Sequence, residues 1–239
     1  VEKESLGGVC LNWGCIPTKA LIKSAHVFEY LHHADDYGLK VKEYDKDFDA
    51  VVNRSRSVAD TMSKGVQFLL KKNKIDVIMG YGSLLPGKKI HVKAEDGSEQ
   101  ELSAQNIIIA TGARSRELPS LPQDGEKVIG YRKAMTLEKQ PKKLIVVGSG
   151  AIGVEFAYFY NAMGTEVTLI EYQPRIVPVE DEEISKQMER SFKKSGIKVM
   201  TSAEVTSVDT SGKGVKATVK TKKGEEVLES DVVLSAVGI

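Results

Sequence analysis

Apolar residues recur along this chain at helical spacing in some stretches and as short continuous runs in others. Behind Pro17, a residue suited to a first helical turn, Leu21, Ile22, Ala25, Phe28 and Leu31 keep a helical period. They predict a helix running to about Asp36 and ending near Gly38. A second helix is predicted from roughly Phe48 to Lys72, with Val51, Val52, Val58, Met62, Val66, Phe68, Leu69 and Leu70 as its apolar positions. Ile75-Asp76-Val77-Ile78-Met79 predicts a strand. Ile90-His91-Val92, the turn Asp96-Gly97 and Glu99 to Leu102 predict a hairpin. Ile107-Ile108-Ile109 predicts a buried strand entering Ala110-Thr111-Gly112.

The pattern then changes. Arg114 to Lys143 holds Pro119, Pro122 and Pro141 and predicts a crossing connection between domains. Leu144 to Val147 is a predicted strand, followed by Gly148-Ser149-Gly150-Ala151-Ile152-Gly153 and a helix from Ala151 to about Met163, stopped by Gly164. Val167 to Glu171 is the next strand. From Asp181 to Lys194 a helix carries acids in its first turn (Asp181, Glu182, Glu183) and bases in its last (Lys193, Lys194), complementing its dipole, and Gly196 closes it. A strand at Lys198 to Met200, a meander from Val205 to Glu229 and a strand at Val232-Val233-Leu234 complete the order. Strands alternating with helices place the chain in the α/β class. Both halves end alike: a hairpin glycine (Gly97, Gly224), a polar link, an apolar strand, then Ala110-Thr111-Gly112 or Ala236-Val237-Gly238. That faint repeat supports two related domains.

Composition narrows the function classes. With 239 residues, 41% hydrophobic and 28% charged, the chain is globular and long enough for one large or two ordinary domains. A net charge of +1 argues against nucleic acid or an anionic membrane as partner, because both require a basic surface. No apolar run reaches the roughly 20 residues that span a bilayer. Two cysteines do not make a disulfide scaffold. The chain opens on Val1-Glu2-Lys3 and closes at Ile239 directly after an apolar run, so both ends are expected to be cuts through a longer protein.

Two constellations carry chemistry. Gly148-x-Gly150-x-x-Gly153 lies between a strand and a helix. Its glycines permit a tight turn, close backbone approach to a pyrophosphate and close helix–strand packing, and the helix N-terminus offers N–H donors to phosphate. Glu171 closes the following strand about 20 residues on, where a carboxylate accepts from a ribose 2′-hydroxyl and repels a 2′-phosphate. NAD is therefore favoured over NADP. The second constellation is Cys10-Leu11-Asn12-Trp13-Gly14-Cys15-Ile16-Pro17-Thr18-Lys19. Two thiols in a bend at a helix start can close an intrachain disulfide, and the helix dipole and Lys19 favour the Cys15 thiolate. A pair of small buried residues, half a metal site, or a disulfide without function are the alternatives that spacing leaves open.

Gly7-Gly8-Val9-Cys10 through Lys19 resembles the active-site disulfide motif of the pyridine nucleotide-disulfide oxidoreductases. Leu11-Asn12 and Ile16-Pro17-Thr18-Lys19-Ala20-Leu21 are most similar to the lipoamide-oxidising branch of that family. The resemblance runs the whole chain: Ala110-Thr111-Gly112 is similar to a flavin-domain signature, Gly148 to Glu155 to the NAD signature, and Ala236-Val237-Gly238 to a second signature of the first kind. It implies two doubly wound, Rossmann-like dinucleotide-binding domains: residues 1–118 as part of an FAD domain, incomplete at both sequence ends, and residues 119–239 as the NAD domain interrupting it. It implies a flavoprotein that oxidises protein-bound dihydrolipoamide, passing electrons through Cys10–Cys15 and FAD to NAD. Cys15 would be the thiol beside the flavin and Cys10 the thiol that exchanges with the substrate. Lys19 would lie beside the flavin and pair with Glu155, each expected to be buried and to need the other. Glu2, Gly7, Gly8, Gly82, Thr111 and Gly112 match FAD contacts. Gly148, Gly150, Ala151, Ile152, Gly153, Glu155, Glu171, Val205 and Gly238 match NAD contacts. Partners implied are a lipoyl-bearing protein of a 2-oxo acid dehydrogenase or glycine cleavage complex, and a second copy of the parent in a homodimer. The compartment implied is cytoplasmic or the mitochondrial matrix, and no metal is implied.

Departures from the family pattern bear on the same expectation. The first dinucleotide fingerprint, the Gly-Asp segment near the ribityl phosphate and the His-Glu base of the dimer domain have no match among residues 1–239. None of His26, His32, His33 or His91 stands in the base context, and His32-His33 is expected on a solvated face. This stretch alone is therefore expected not to turn over. The alternatives are a glutathione-type or mercuric reductase, disfavoured by Glu171, and an NAD-binding module with inert cysteines.

Overall fold

The structure is a computed structural model that describes residues 1–239. In chain order the elements are α1 (Gly8–Trp13), α2 (Cys15–His32), α3 (Phe48–Lys72), β1 (Tyr81–Leu85), β2 (Lys89–Lys93), β3 (Glu99–Ser103), β4 (Val128–Ile129), α4 (Tyr131–Ala134), β5 (Lys143–Val147), α5 (Ala151–Ala162), β6 (Glu166–Ile170), α6 (Glu182–Lys194), β7 (Lys198–Met200), β8 (Glu204–Asp209), β9 (Val215–Thr221), β10 (Gly224–Ser230) and β11 (Val232–Ser235). Contacts divide them into two compact units: Val1–Pro17 with Arg56–Ala113, and Thr18–Ser55 with Arg114–Ile239. Residues 119–239 fall wholly in the second unit, together with Thr18–Ser55.

The second unit is built on a parallel sheet in the order β4-β11-β5-β6-β7, the α/β arrangement of a dinucleotide-binding domain. Strand β5 shows why these residues choose a central position. Leu144, Ile145, Val146 and Val147 are all buried, a continuous apolar run suited to a sheet covered on both faces. Alternation still assigns the faces: Ile145 and Val147 pack with Ile170, Val205, Val215, Ala217, Val219 and Val233, the core shared with the antiparallel sheet β10-β9-β8. Helix α5 packs on β5 and β6 and buries Val154, Phe156, Ala157, Phe159 and Tyr160. Gly164, at φ 89°, ends it in the left-handed region that glycine tolerates. The stretch expected only as a connection also supplies β4, which pairs with β11 at the sheet edge.

Helix α2 stops at His32, and a 3₁₀ turn over Ala34–Tyr37 carries the chain to Gly38. The predicted bounds of α3 match the observed ones. His32 and His33 are exposed, as expected of a solvated face.

The first unit departs from two sequence expectations. Ile75–Met79 is not a strand: Met79 forms a single parallel bridge with Glu2, closed by Glu2 N to Ile78 O (3.0 Å) and Gly80 N to Glu2 O (2.8 Å). Ile107-Ile108-Ile109 is neither a strand nor buried, and Ile108 is 91% exposed. A strand exists only through a hydrogen-bonded neighbour, and no strand of this chain pairs with either run. The predicted hairpin is present as β2 and β3, extended by an unforeseen β1 into an antiparallel sheet β1-β2-β3. No helix is long and apolar enough to cross a membrane.

Candidate active site

Cys10 lies in α1 and Cys15 opens α2; the two are joined as a disulfide with their Cα atoms 4.8 Å apart. Both residues are exposed. The bend between them is held partly by its own residues and partly by α3. The buried Asn12 donates from Nδ2 to the carbonyls of Leu6 and Gly8, each at 2.9 Å. Ser63 of α3 donates to the same Leu6 oxygen at 3.1 Å. Trp13 donates from Nε1 to Glu4 (3.1 Å), and the Arg56 guanidinium lies 4.1 Å from the Trp13 ring centroid. The bend is thus fixed while both of its cysteines are exposed residues, an arrangement open to an attacking thiolate.

Lys19 on α2 bonds Glu155 on α5, as expected. The expected burial is not found: the side chains are 62% and 29% exposed. Such a pair contributes at most about 1 kcal/mol to stability. Its position on two facing helices of the second unit is the more telling fact.

The candidate flavin contacts Glu2, Gly7, Gly8, Gly82, Thr111 and Gly112 all lie in the first unit. Gly8 (φ 72°) and Gly112 (φ 74°) have open space where a Cβ would stand, and Gly7 caps α1 in the left-handed region. A Cβ on Gly82 would meet the Val1 side chain at 3.2 Å, beside the Glu2–Met79 bridge. Glu2 Oε1 accepts from Glu4 N at 2.8 Å, leaving its second oxygen for another donor. Glycines without a side chain in the way and a carboxylate oxygen with acceptor capacity are residue types that suit a nucleotide's phosphates and ribose, so this set fits a flavin nucleotide in its chemistry.

The fingerprint glycines divide their work. A Cβ on Gly148 would strike the Ala236 carbonyl, and one on Gly153 would strike the Gly148 carbonyl. These two allow close packing. Nothing lies within 4 Å of the point where a Gly150 Cβ would stand, so that glycine faces open space. A cavity of about 810 Å³ opens there, lined by Gly148, Gly150, Ala151, Ile152, Glu171, Val205 and Gly238. The structure gathers these seven predicted NAD contacts and leaves Gly153 and Glu155 off the cavity wall. Arg116, Tyr172 and Val179 also line it and were not foreseen; no local pattern marks them, because their loops reach the cavity only once the sheet is formed. Arg116 N donates to Gly238 O at 2.9 Å, tying the entering loop to the second Ala-X-Gly segment. Volume, open glycine, helix N-terminus and carboxylate together fit a nicotinamide dinucleotide.

The sequence matches the family model described as pyridine nucleotide-disulphide oxidoreductase over residues 1–239. It is 47% identical over 240 residues to a dihydrolipoyl dehydrogenase of Chlorobaculum parvum, covering 100% of this chain and 51% of that protein. It is 44% identical over 229 residues to a dihydrolipoyl dehydrogenase of Zymomonas mobilis, covering 96% of this chain and 49% of that one. The crystal structure of LpdA from Mycobacterium tuberculosis superposes with a TM-score of 0.90 at 30% identity, over 99% of this chain and 51% of that chain. The chain thus spans about half the length of these relatives.

Proposed function

The chain belongs to the pyridine nucleotide-disulphide oxidoreductase family, and from that premise we propose that the protein carrying it oxidises protein-bound dihydrolipoamide with NAD as acceptor. The observation that carries the proposal is the exposed Cys10–Cys15 disulfide at the start of α2. A substrate thiolate attacks Sγ of Cys10 and expels Cys15 as thiolate, which the α2 N-terminus stabilises. The second substrate thiolate attacks the substrate sulfur of the mixed disulfide and expels Cys10. Substrate dithiol becomes cyclic disulfide, two electrons pass to the cysteine pair, and the two protons leave with the base and solvent.

Glu2, Gly7, Gly8, Lys19, Gly82, Thr111 and Gly112 are assigned to the flavin nucleotide, which when bound carries the electron pair from the thiols to NAD. Gly148, Gly150, Ala151, Ile152, Gly153, Glu155, Glu171, Val205 and Gly238 are assigned to NAD. Residues 1–118 would then belong to the flavin domain and 119–239 to the NAD domain. The partner is a lipoyl-bearing protein of a 2-oxo acid dehydrogenase or glycine cleavage complex, and the working form a homodimer in the cytosol or mitochondrial matrix. Glu171 on the cavity wall favours NAD and weighs against glutathione-type or mercuric reductases, which resemblance pairs with NADP.

The test is turnover of the full-length protein with dihydrolipoamide and NAD. NADH formation is expected in the parent and loss to background in Cys10→Ser and Cys15→Ser. Turnover no higher than in Cys15→Ser rejects the proposal.

A further inference from the structure

Glu171 does not stand free at the end of β6. Its Oε2 accepts from Ser149 N at 2.8 Å and from Ser149 Oγ at 2.6 Å, and its Oε1 accepts from Gln173 N at 2.7 Å. Ser149 is 0% exposed and Glu171 7%, and both line the cavity. A carboxylate offers about four acceptor positions, two on each oxygen. Ser149 fills both on Oε2, so the one left is on Oε1.

The Ser149 hydroxyl is fixed in its turn. It gives its single proton to Glu171 and accepts from Val177 N at 3.2 Å, while the Ser149 carbonyl takes the same N–H at 3.1 Å. Val177 holds φ 40°, a region a β-branched residue avoids unless its surroundings impose it. Ser149 therefore joins the phosphate-binding turn to the loop after β6, whose Tyr172, Pro178 and Val179 line the cavity.

We propose that Ser149, the first variable position of the fingerprint, is a positioning residue that sets the preference for NAD over NADP by locking the Glu171 carboxylate. Pinned at Oε2, the carboxylate cannot rotate away from a 2′-phosphate, and its remaining acceptor on Oε1 meets a 2′-hydroxyl. Preference resides in the fixed pair and not in Glu171 alone. The inference rests on the placement of a nicotinamide dinucleotide in this cavity.

The test is direct titration of NADH and NADPH into the full-length protein fully reduced beforehand with dithionite, so that no hydride is transferred, followed by nicotinamide fluorescence. Variants are Ser149→Ala, Glu171→Gln, the double variant and Gly150→Trp. Loss of one charge-assisted hydrogen bond should narrow the ratio of the NADPH and NADH dissociation constants about tenfold in Ser149→Ala. In a Glu171→Gln background the same change should narrow it no further. Equal weakening of both nucleotides, or equal narrowing in both backgrounds, overturns the lock and leaves Ser149 as packing. Ser149→Cys, similar in volume with a weak donor, gives the same comparison should the alanine variant not fold, and an unchanged ratio there overturns the lock. NADH binding that survives Gly150→Trp removes the cofactor from this cavity, and the lock with it. Binding lost in Gly150→Trp with the ratio unmoved by Ser149→Ala overturns the lock alone.

Discussion

Tyr160 is fully enclosed on α5, and its hydroxyl donates to the Ala134 carbonyl at 2.6 Å. Burial pushes its phenol above the ordinary value of 10.0. Tyr158, two residues earlier on the same helix, is pushed the same way by burial first and then by its hydrogen bond to Glu29. An unfolded tyrosine releases its proton near the ordinary value while the buried one keeps it. The folded state then binds more protons, so this contribution is complete below about pH 10 and is lost as pH climbs from there toward the raised folded value. Tyr160→Phe is expected to cost about 1 kcal/mol at neutral pH, through the unpaired Ala134 carbonyl. It should also flatten the fall in urea midpoint between about pH 8 and pH 11. A midpoint falling as steeply in the variant as in the parent would assign the alkaline loss to other groups. The exposure of the Lys19–Glu155 pair gives it little weight in stability, so its value lies in where it holds the lysine.

Strand β5, the fingerprint and α5 form one object, because α5 can lie as close to β5 as it does only while Gly153 lacks a side chain. Gly153→Ala places a methyl against the Gly148 carbonyl, which is backbone and cannot swing aside. Relief means moving the α5 N-terminus away from the place proposed for the nucleotide phosphates. The expected result is a loss of about 1–3 kcal/mol in stability and at least roughly tenfold weaker NADH binding, read by thermal melting and fluorescence titration. Unchanged binding would show that the close approach is unnecessary. This element was legible in the sequence because every signal is local: an apolar run, glycines at fixed spacing and a helix with its own stop at Gly164. The disulfide bend was legible for the same reason. Where a neighbour decides the outcome, local pattern misleads. Ile107-Ile108-Ile109 has the composition of a buried strand, yet it finds no partner strand and leaves Ile108 and Ile109 exposed. Strand β1 went unseen because Gly82 and Ser83 interrupt its apolar alternation, and its existence is owed to β2. The hydrogen bonds of Ser149 to Glu171 span 22 residues and have no periodicity to announce them.

Residues 1–239 are unevenly consolidated. Ala59 and Val92 are the buried hydrophobic residues of the first unit; those of the second are spread over its sheet, its meander and its helices. Large apolar residues of the first unit stand exposed instead, among them Phe68, Leu69, Ile75, Tyr81, Leu84, Ile108 and Ile109. Local opening costs least where few apolar contacts are broken, so the two units should differ in protection even though one chain runs through both. Hydrogen exchange of the 239-residue chain, followed by mass spectrometry, should show the amides of β1, β2 and β3 exchanging well before those of β5, β6 and β11. The segment about Asn12 should be an exception within the first unit, since its side chain ties the Leu6 and Gly8 carbonyls in place. Equal protection in both units would mean that burial within each does not set its stability. Such a division suits the chemistry proposed for each part: a disulfide bend held rigid by a few polar bonds and open to a macromolecular thiol, and a nucleotide cavity whose geometry the packed sheet holds constant.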